Sequence, residues 1–291
     1  MGVSIFIPAR NEEKNIEKCL SSVAWSDDIH VVDSNSPDRT AEIARRMGAN
    51  VVQFHWDGKG PRKFGWALQN VAWKHDWVLI VDADEEVPKA LADEIRELCR
   101  ATDKAGFLIK YDYYFLGRPL RHGDPLWKLI LLRHSRARYG TVVVPDVTGC
   151  DIELHQHPIV NGEIGRLRER MIHRDNEDLH HFFDRHNIYS DWEALLRTKY
   201  RDLDDGQVTP RFFGNASERR RWLKRRFLSL PGNSFIYFLY SYVLRLGFLD
   251  GYPGFIYNVL KSCYWYQIAV KEYEWRLAND PAMAHTSVKS A

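Results

Sequence analysis

Short apolar runs that each stop at a polar or acidic residue, separated by stretches of helical period, constrain the first hundred residues to a layered α/β arrangement. Val3-Ser4-Ile5-Phe6-Ile7 is the first run and ends at Pro8; residues 13–23 then place Ile16, Cys19, Leu20 and Val23 on one helix face. Ile29–Asp33 reads as a second strand, and Ser36-Pro37 forms an N-cap and first-turn pair ahead of Ala41, Ile43, Ala44 and Met47. Val51-Val52-Gln53-Phe54 is a third strand. The loop Asp57-Gly58-Lys59-Gly60-Pro61 precedes a helix through Ala67, Leu68 and Val71, and Trp77-Val78-Leu79-Ile80-Val81 is the fourth strand. This alternation predicts a Rossmann-like, mostly parallel sheet with helices on both faces and right-handed crossovers. With 291 residues, 45% of them hydrophobic, the chain can bury such a core and carry an appendage.

After Arg100 the rhythm changes. Residues 106–115, 128–132 and 141–144 are strand-like and are expected to extend the sheet and wall a pocket. A helix is predicted over residues 178–199, with Leu179, Phe182, Phe183, His186, Ile188 and Tyr189 roughly on one side, before a loop at 202–206. The reading is a domain over 1–205, divided into a nucleotide-binding half (1–100) and an acceptor half (101–205), followed by an amphipathic helical extension over 206–291. In that extension Arg219, Arg220, Arg221, Lys224, Arg225 and Arg226 precede aromatic stretches through Tyr257, which Pro231, Arg245, Asp250 and Pro253 interrupt. None reaches the 18 or so apolar residues of a bilayer span, so helices lying in the interface of an anionic membrane are expected. A helical pair with a solvated basic face is the plainer alternative.

The formal net charge of +2 gives no global attraction to nucleic acid, and no nucleic-acid partner is expected. Cys19, Cys99, Cys150 and Cys263 are widely spaced and read as buried free thiols of a reducing compartment. Residues 1–8 run directly into a core strand, leaving no room for a secretory signal.

The chemistry concentrates at the strand ends. Asp82-Ala83-Asp84-Glu85-Glu86 closes the fourth strand, where a ligand crevice is expected in a parallel sheet. Two carboxylates one residue apart suit Mg²⁺ or Mn²⁺, whose other positions are filled by water and substrate phosphates. The plain alternative is an acidic loop capping the helix that begins near Pro88. Pro8-Ala9-Arg10-Asn11-Glu12 follows the first strand, Asp33-Ser34-Asn35-Ser36 the second, and Lys59, Arg62 and Lys63 precede the fourth. Cations beside an acidic metal site make sense if a diphosphate lies between them.

Together these segments resemble the signatures of family 2 glycosyltransferases with the GT-A fold. Within that family the likeness is to bacterial enzymes of lipopolysaccharide core or surface polysaccharide assembly. It continues through His155-Gln156-His157-Pro158, Gly162-Glu163-Ile164-Gly165-Arg166-Leu167, Met171-Ile172-His173, Arg185-His186-Asn187-Ile188-Tyr189-Ser190 and, weakly, Leu246-Gly247-Phe248-Leu249-Asp250-Gly251. The resemblance implies inverting transfer from a nucleotide-diphosphate sugar, UDP-linked by preference, to a glycolipid or polysaccharide acceptor at the cytoplasmic face of a bacterial inner membrane. It also implies that Asp84 ligates the cation, with Asp82 on the ribose or in the cation's shell and Ala83 between them. By the same resemblance Pro8, Ala9, Arg10, Asn11, Glu12, Asp33 and Ser34 would line the base and ribose pocket, with Arg62 and Lys63 near the diphosphate or base. Two departures from the family pattern stand out. Ser34 replaces a second Asp that contacts uracil in many relatives. Gln156 replaces the Glu of a His-Glu pair, which shifts the base to Glu153 or Asp151, or to His155 or His157. The alternatives are a nucleotidyltransferase, for which Pro8-Ala9-Arg10-Asn11-Glu12 lacks the expected glycines, and a membrane-peripheral binding module that has lost catalysis, which Gln156 favours.

Overall fold

The computed structural model describes residues 2–56, 61–123, 126–139, 158–174, 179–199, 211–214, 219, 222–223, 226–227, 230 and 232–279. The chain divides into two compact units. The first runs through residue 174 except for His122 and Gly123, which join the residues from 179 onward in the second.

In the first unit, strands β1 (Val3–Ala9), β2 (Ile29–Asp33), β3 (Asn50–Gln53) and β4 (Trp77–Ile80) alternate with helices α1 (Ile16–Val23), α2 (Thr40–Arg46) and α3 (Lys63–Asn70). They pair in parallel in the order β3-β2-β1-β4, with Ala9 beside Asp33 and Phe6 beside Ile80. Ile5, Phe6 and Ile7 are all fully buried, so β1 is covered on both faces, as the near-continuous apolar run predicts. The acidic run then makes the short strand β5 (Glu85–Glu86), and α4 (Lys89–Ala101) follows. Strands β6 (Gly106–Phe115), β7 (Arg118–Leu120), β8 (Trp127–Arg133) and β11 (Ile164–Arg174) continue the sheet as β4-β8-β6-β11-β5, with β7 on β6. Here β8 is antiparallel to both β4 and β6. Strands β9 (Ala137–Tyr139) and β10 (Pro158–Val160) form a separate ribbon, and the expected strand at 141–144 lies outside the described residues.

The edge opposite the strand ends is pinned by Asp28, which accepts hydrogen bonds from Ser4 Oγ (2.5 Å) and the Lys74 amide (2.9 Å) and pairs with His30 Nε2 (2.8 Å). Burial pushes the Asp28 carboxyl up, but these three partners overcome it and hold the group below 3.8. A folded value below the unfolded one gives stability that is present above about pH 4 and lost as pH falls through the folded value. Asp28→Asn is expected to lower stability by about 1–3 kcal/mol at neutral pH, because the amide leaves a buried donor unmatched. Urea unfolding at pH 7 and pH 3 checks this, the gap closing at the lower pH.

The second unit contains α5 (Leu179–Arg197), α6 (Asn233–Phe238), a π-helical turn (Leu239–Leu244), a 3₁₀ turn (Gly247–Asp250) and α7 (Gly251–Asn279). Helices α5 and α7 are tied by Arg197 to Glu272 (3.0 Å) and by Lys271 to Asn187 O, Ser190 Oγ and Asp191. The packed face of α5 therefore carries Phe182, Ser190, Trp192 and Glu193, while Phe183 and Ile188, expected on that face, are 49% and 42% exposed. Polar side chains with partners on α7 occupy the stripe that hydropathy assigns to apolar ones. Gly247 is a required glycine, since a Cβ there would lie 2.8 Å from Ser241 O and 2.9 Å from Asn258 Nδ2. Cys19 and Cys99 are buried as expected, but Cys263 is exposed on α7 because its neighbours Tyr264 and Ile268 take the packed face. Cys150 lies outside the described residues.

Candidate active site

Asp82, Ala83, Asp84 and Glu85 form a tight turn closed by the Glu85 amide on Asp82 O (2.9 Å). The chain then reverses into β5, where Glu85 pairs with His173 and Glu86 with Ile172 of β11. The acidic run does not cap α4, whose N-cap is Pro88 with no side-chain bond. It presents carboxylates at the sheet edge.

Each carboxylate has a different environment. Glu85 is 1% exposed, and both its oxygens are held: Oε1 by Lys128 Nζ (3.0 Å), Oε2 by the Asp82 amide (3.0 Å) and Tyr111 OH (3.2 Å). Asp82 Oδ2 accepts from Lys128 Nζ at 2.8 Å. Burial raises the Asp82 carboxyl, yet the ammonium of Lys128 outweighs it and the group stays ionised below its ordinary value. The Asp84 carboxylate accepts no hydrogen bond from a described residue, and its nearest cation is His173 Nδ1 at 3.6 Å. Burial, aided by the charges of Asp82 and Glu85 and opposed by His173, pushes Asp84 up to about 6. His173 stacks on Tyr113 with centroids 5.1 Å apart, and among the described residues its buried Nδ1 has no partner closer than Asp84 Oδ1 and Glu85 Oε1, both at 3.6 Å. Burial lowers the imidazole, but Asp84 and Glu85 more than offset that and raise it.

The other predicted residues gather on the same edge. Ala9 is buried at the end of β1; its carbonyl accepts from the Ser34 amide (3.0 Å) and from Lys63 Nζ (3.2 Å). Pro8 is half-buried, Arg10 exposed, and Asn11 sits at φ 59°, a left-handed turn that Asn tolerates, with its amide on Ser36 Oγ (2.9 Å). The Glu12 amide donates to Thr40 Oγ1 (2.8 Å). Asp33 is 1% exposed and accepts from both the amide and the hydroxyl of Ser36, so it shapes the loop after β2. Lys63 opens α3 and is buried with Arg62, whose guanidinium lies over the Trp56 ring at 5.1 Å. Behind the acidic turn, Cys19 on α1 donates to Asp82 O (3.5 Å), and burial together with the charges of Glu85, Asp84, Asp82 and Glu12 drives its thiol well up. Lys59, Asp151, Glu153, His155, Gln156 and His157 lie outside the described residues.

Lys128 and Tyr111 stand at this turn although the sequence reading does not select them, and His173 enters that reading only within the Met171-Ile172-His173 signature, without a role. Their strands are legible, but their arrival depends on strand order.

The family model for glycosyl transferase family 2 matches residues 4–159. The chain belongs to glycosyltransferase family 2. Its first unit is the GT-A fold of that family, with β3-β2-β1-β4 as the parallel part of the sheet. The chain is 26% identical over 295 residues to an uncharacterized glycosyltransferase of Rickettsia bellii, covering 99% of this chain and 92% of that protein. It is 27% identical over 281 residues to the lipopolysaccharide core biosynthesis glycosyltransferase LpsC of Rhizobium meliloti, covering 94% and 92%. Among solved structures, glucosyl-3-phosphoglycerate synthase from Mycobacterium tuberculosis in complex with Mn²⁺ and UDP is similar at 26% identity and a TM-score of 0.32. That match covers 39% of this chain and 44% of that one.

Proposed function

We propose that this family 2 enzyme is an inverting, metal-dependent hexosyltransferase that moves a sugar from a UDP-sugar to an acceptor hydroxyl in lipopolysaccharide or surface polysaccharide assembly. The observation that carries the reading is the turn at 82–85. It offers a carboxylate that no described residue hydrogen-bonds, Asp84, on the edge that also carries Asp33, Asn11 and Lys63. The full-length likeness to LpsC supports the pathway, and family membership sets nucleotidyl transfer aside.

The donor set suits a hard divalent cation. Among the described residues no three His, Cys, Asp or Glu groups converge to hold an ion by themselves. The fit is therefore to Asp84, with His173 and one oxygen of Asp82 nearby, the other positions falling to diphosphate oxygens and water. When bound there, such an ion neutralises charge developing on the diphosphate. The protein's own part is to seat base and ribose against the loops after β1 and β2, and to accept the acceptor's proton as the new glycosidic bond forms and the bond to the diphosphate breaks. That proton is assigned to residue 153 or 155. Glu153→Gln is expected to lower kcat by about a hundredfold or more, with His155→Gln costing under about tenfold; the reverse order in steady-state kinetics moves the role to His155.

The test of the whole reading is transfer from radiolabelled UDP-, GDP- and dTDP-sugars to a lipid-linked acceptor fraction, with and without Mn²⁺. Mn²⁺-dependent transfer from a UDP-sugar supports it. Nucleotide binding without transfer from any donor supports a binding module that has lost catalysis.

The second unit supports a membrane partner for the same activity. No described helix is long and apolar enough to cross a bilayer. Yet Phe235, Leu239, Val243, Leu244, Phe248, Leu249 and Tyr252 are all exposed, and Arg219, Arg226 and Arg245 lie in the same unit. Peripheral attachment to an anionic surface, at the cytoplasmic face of the inner membrane, accounts for apolar exposure on this scale.

A further inference from the structure

Asp82 and Asp84 are the same residue type two positions apart, and only their surroundings distinguish them. Lys128 makes the difference. Its ammonium donates to Asp82 Oδ2 (2.8 Å) and Glu85 Oε1 (3.0 Å) and lies 4.9 Å from the centroid of the Tyr111 ring. The ammonium is thereby engaged by two carboxylates beside a π-face. Tyr111 and the Asp82 amide secure the other oxygen of Glu85, so the lysine is anchored to a carboxylate that cannot turn.

We propose that Lys128 is a positioning residue that fixes Asp82 in one orientation and withdraws one of its oxygens from the cation, so that Asp84 ligates and Asp82 serves the nucleotide. The inference rests on the reading that a divalent ion and a nucleoside diphosphate meet at this turn. Without the ammonium, Asp82 Oδ2 is released to join Asp84 round an ion, and the fixed Glu85 Oε1 beside them loses its counter-charge. Free Mn²⁺ is then held more tightly, and the nucleotide loses its oriented partner and meets a more negative site.

The experiment measures free Mn²⁺ by electron paramagnetic resonance titration and UDP at saturating Mn²⁺ by calorimetry, on the full-length protein and on Lys128→Met. Mn²⁺ alone is expected to bind about tenfold tighter and UDP about tenfold weaker, with Lys128→Arg restoring most of the UDP affinity. A lysine that merely stabilises the fold weakens both together, and that result overturns the proposal, as does unchanged UDP binding. Should Lys128→Met not fold, Glu85→Gln/Lys128→Met removes one charge of each sign; weaker UDP binding supports the proposal and parental binding overturns it. A parent protein that binds neither Mn²⁺ nor UDP instead defeats the underlying reading, and the inference with it.

Discussion

Asp84→Asn is expected to abolish transfer, by about a thousandfold or more, while making the ligand-free protein harder to melt near pH 8. The two effects have one cause. Asp84 is held up at about 6 by burial and by the neighbouring charges of Asp82 and Glu85, against 3.8 for an ordinary aspartate. A carboxyl whose folded value is raised binds its proton more tightly when folded, so stability falls as pH rises between about 4 and about 6 and the penalty is complete above that. The amide carries no such penalty. The gain in melting temperature is therefore largest at neutral and alkaline pH and closes toward about pH 4. Mn²⁺ with UDP reverses the order, because only the parent gains binding free energy from the ion at this turn. Thermal melts across pH, with and without Mn²⁺ and UDP, read both parts. An Asp84→Asn protein that melts below the parent at pH 8 in the absence of ions contradicts a carboxyl held up by burial and neighbouring charge, and one that retains transfer contradicts its role.

The same turn shows why part of the site is legible in the chain and part is not. In a parallel sheet every strand delivers its last residue to one edge, so Ala9, Asp33 and Asp82 can be grouped from the ends of three apolar runs. Lys128 belongs to a different logic. It reaches the turn because β8 runs antiparallel to β4, with Leu79 opposite Leu131; continuing that register by three places sets 82 opposite 128. No local pattern states which strand lies beside β4, or in which direction it runs. His173 is further removed, since it depends on β11 lying beside both β6 and β5. Glu85 and Glu86 have the composition of a helix cap, and only pairing with β11 makes them a strand. On α5 the difficulty is energetic: hydropathy rewards Phe183 and Ile188, whereas Ser190 and Arg197 are drawn inward by Lys271 and Glu272 of α7, partners that the local sequence does not reveal, and Glu193 follows its i+4 partner Arg197.

A triple variant carrying Leu244→Glu, Leu249→Glu and Tyr252→Glu is expected to lose about a hundredfold in affinity for anionic vesicles with its fold unchanged. These side chains are 73%, 55% and 74% exposed, so their replacement removes little packing within the protein. In a lipid interface each supplies roughly 1 kcal/mol of apolar transfer, and three glutamates add repulsion from anionic headgroups. Basic residues alone do not account for this patch, because solvated arginines need no apolar neighbours. The two contributions separate with salt: raising ionic strength weakens the electrostatic part, drawn from Arg219 and Arg226, and leaves the apolar part largely intact. Vesicle flotation over a salt series, on parent and variant, measures both. Equal flotation of the two proteins assigns the attachment elsewhere, and a parent that stays off phosphatidylglycerol vesicles at low salt removes the membrane from the reading while leaving the chemistry of the first unit untouched.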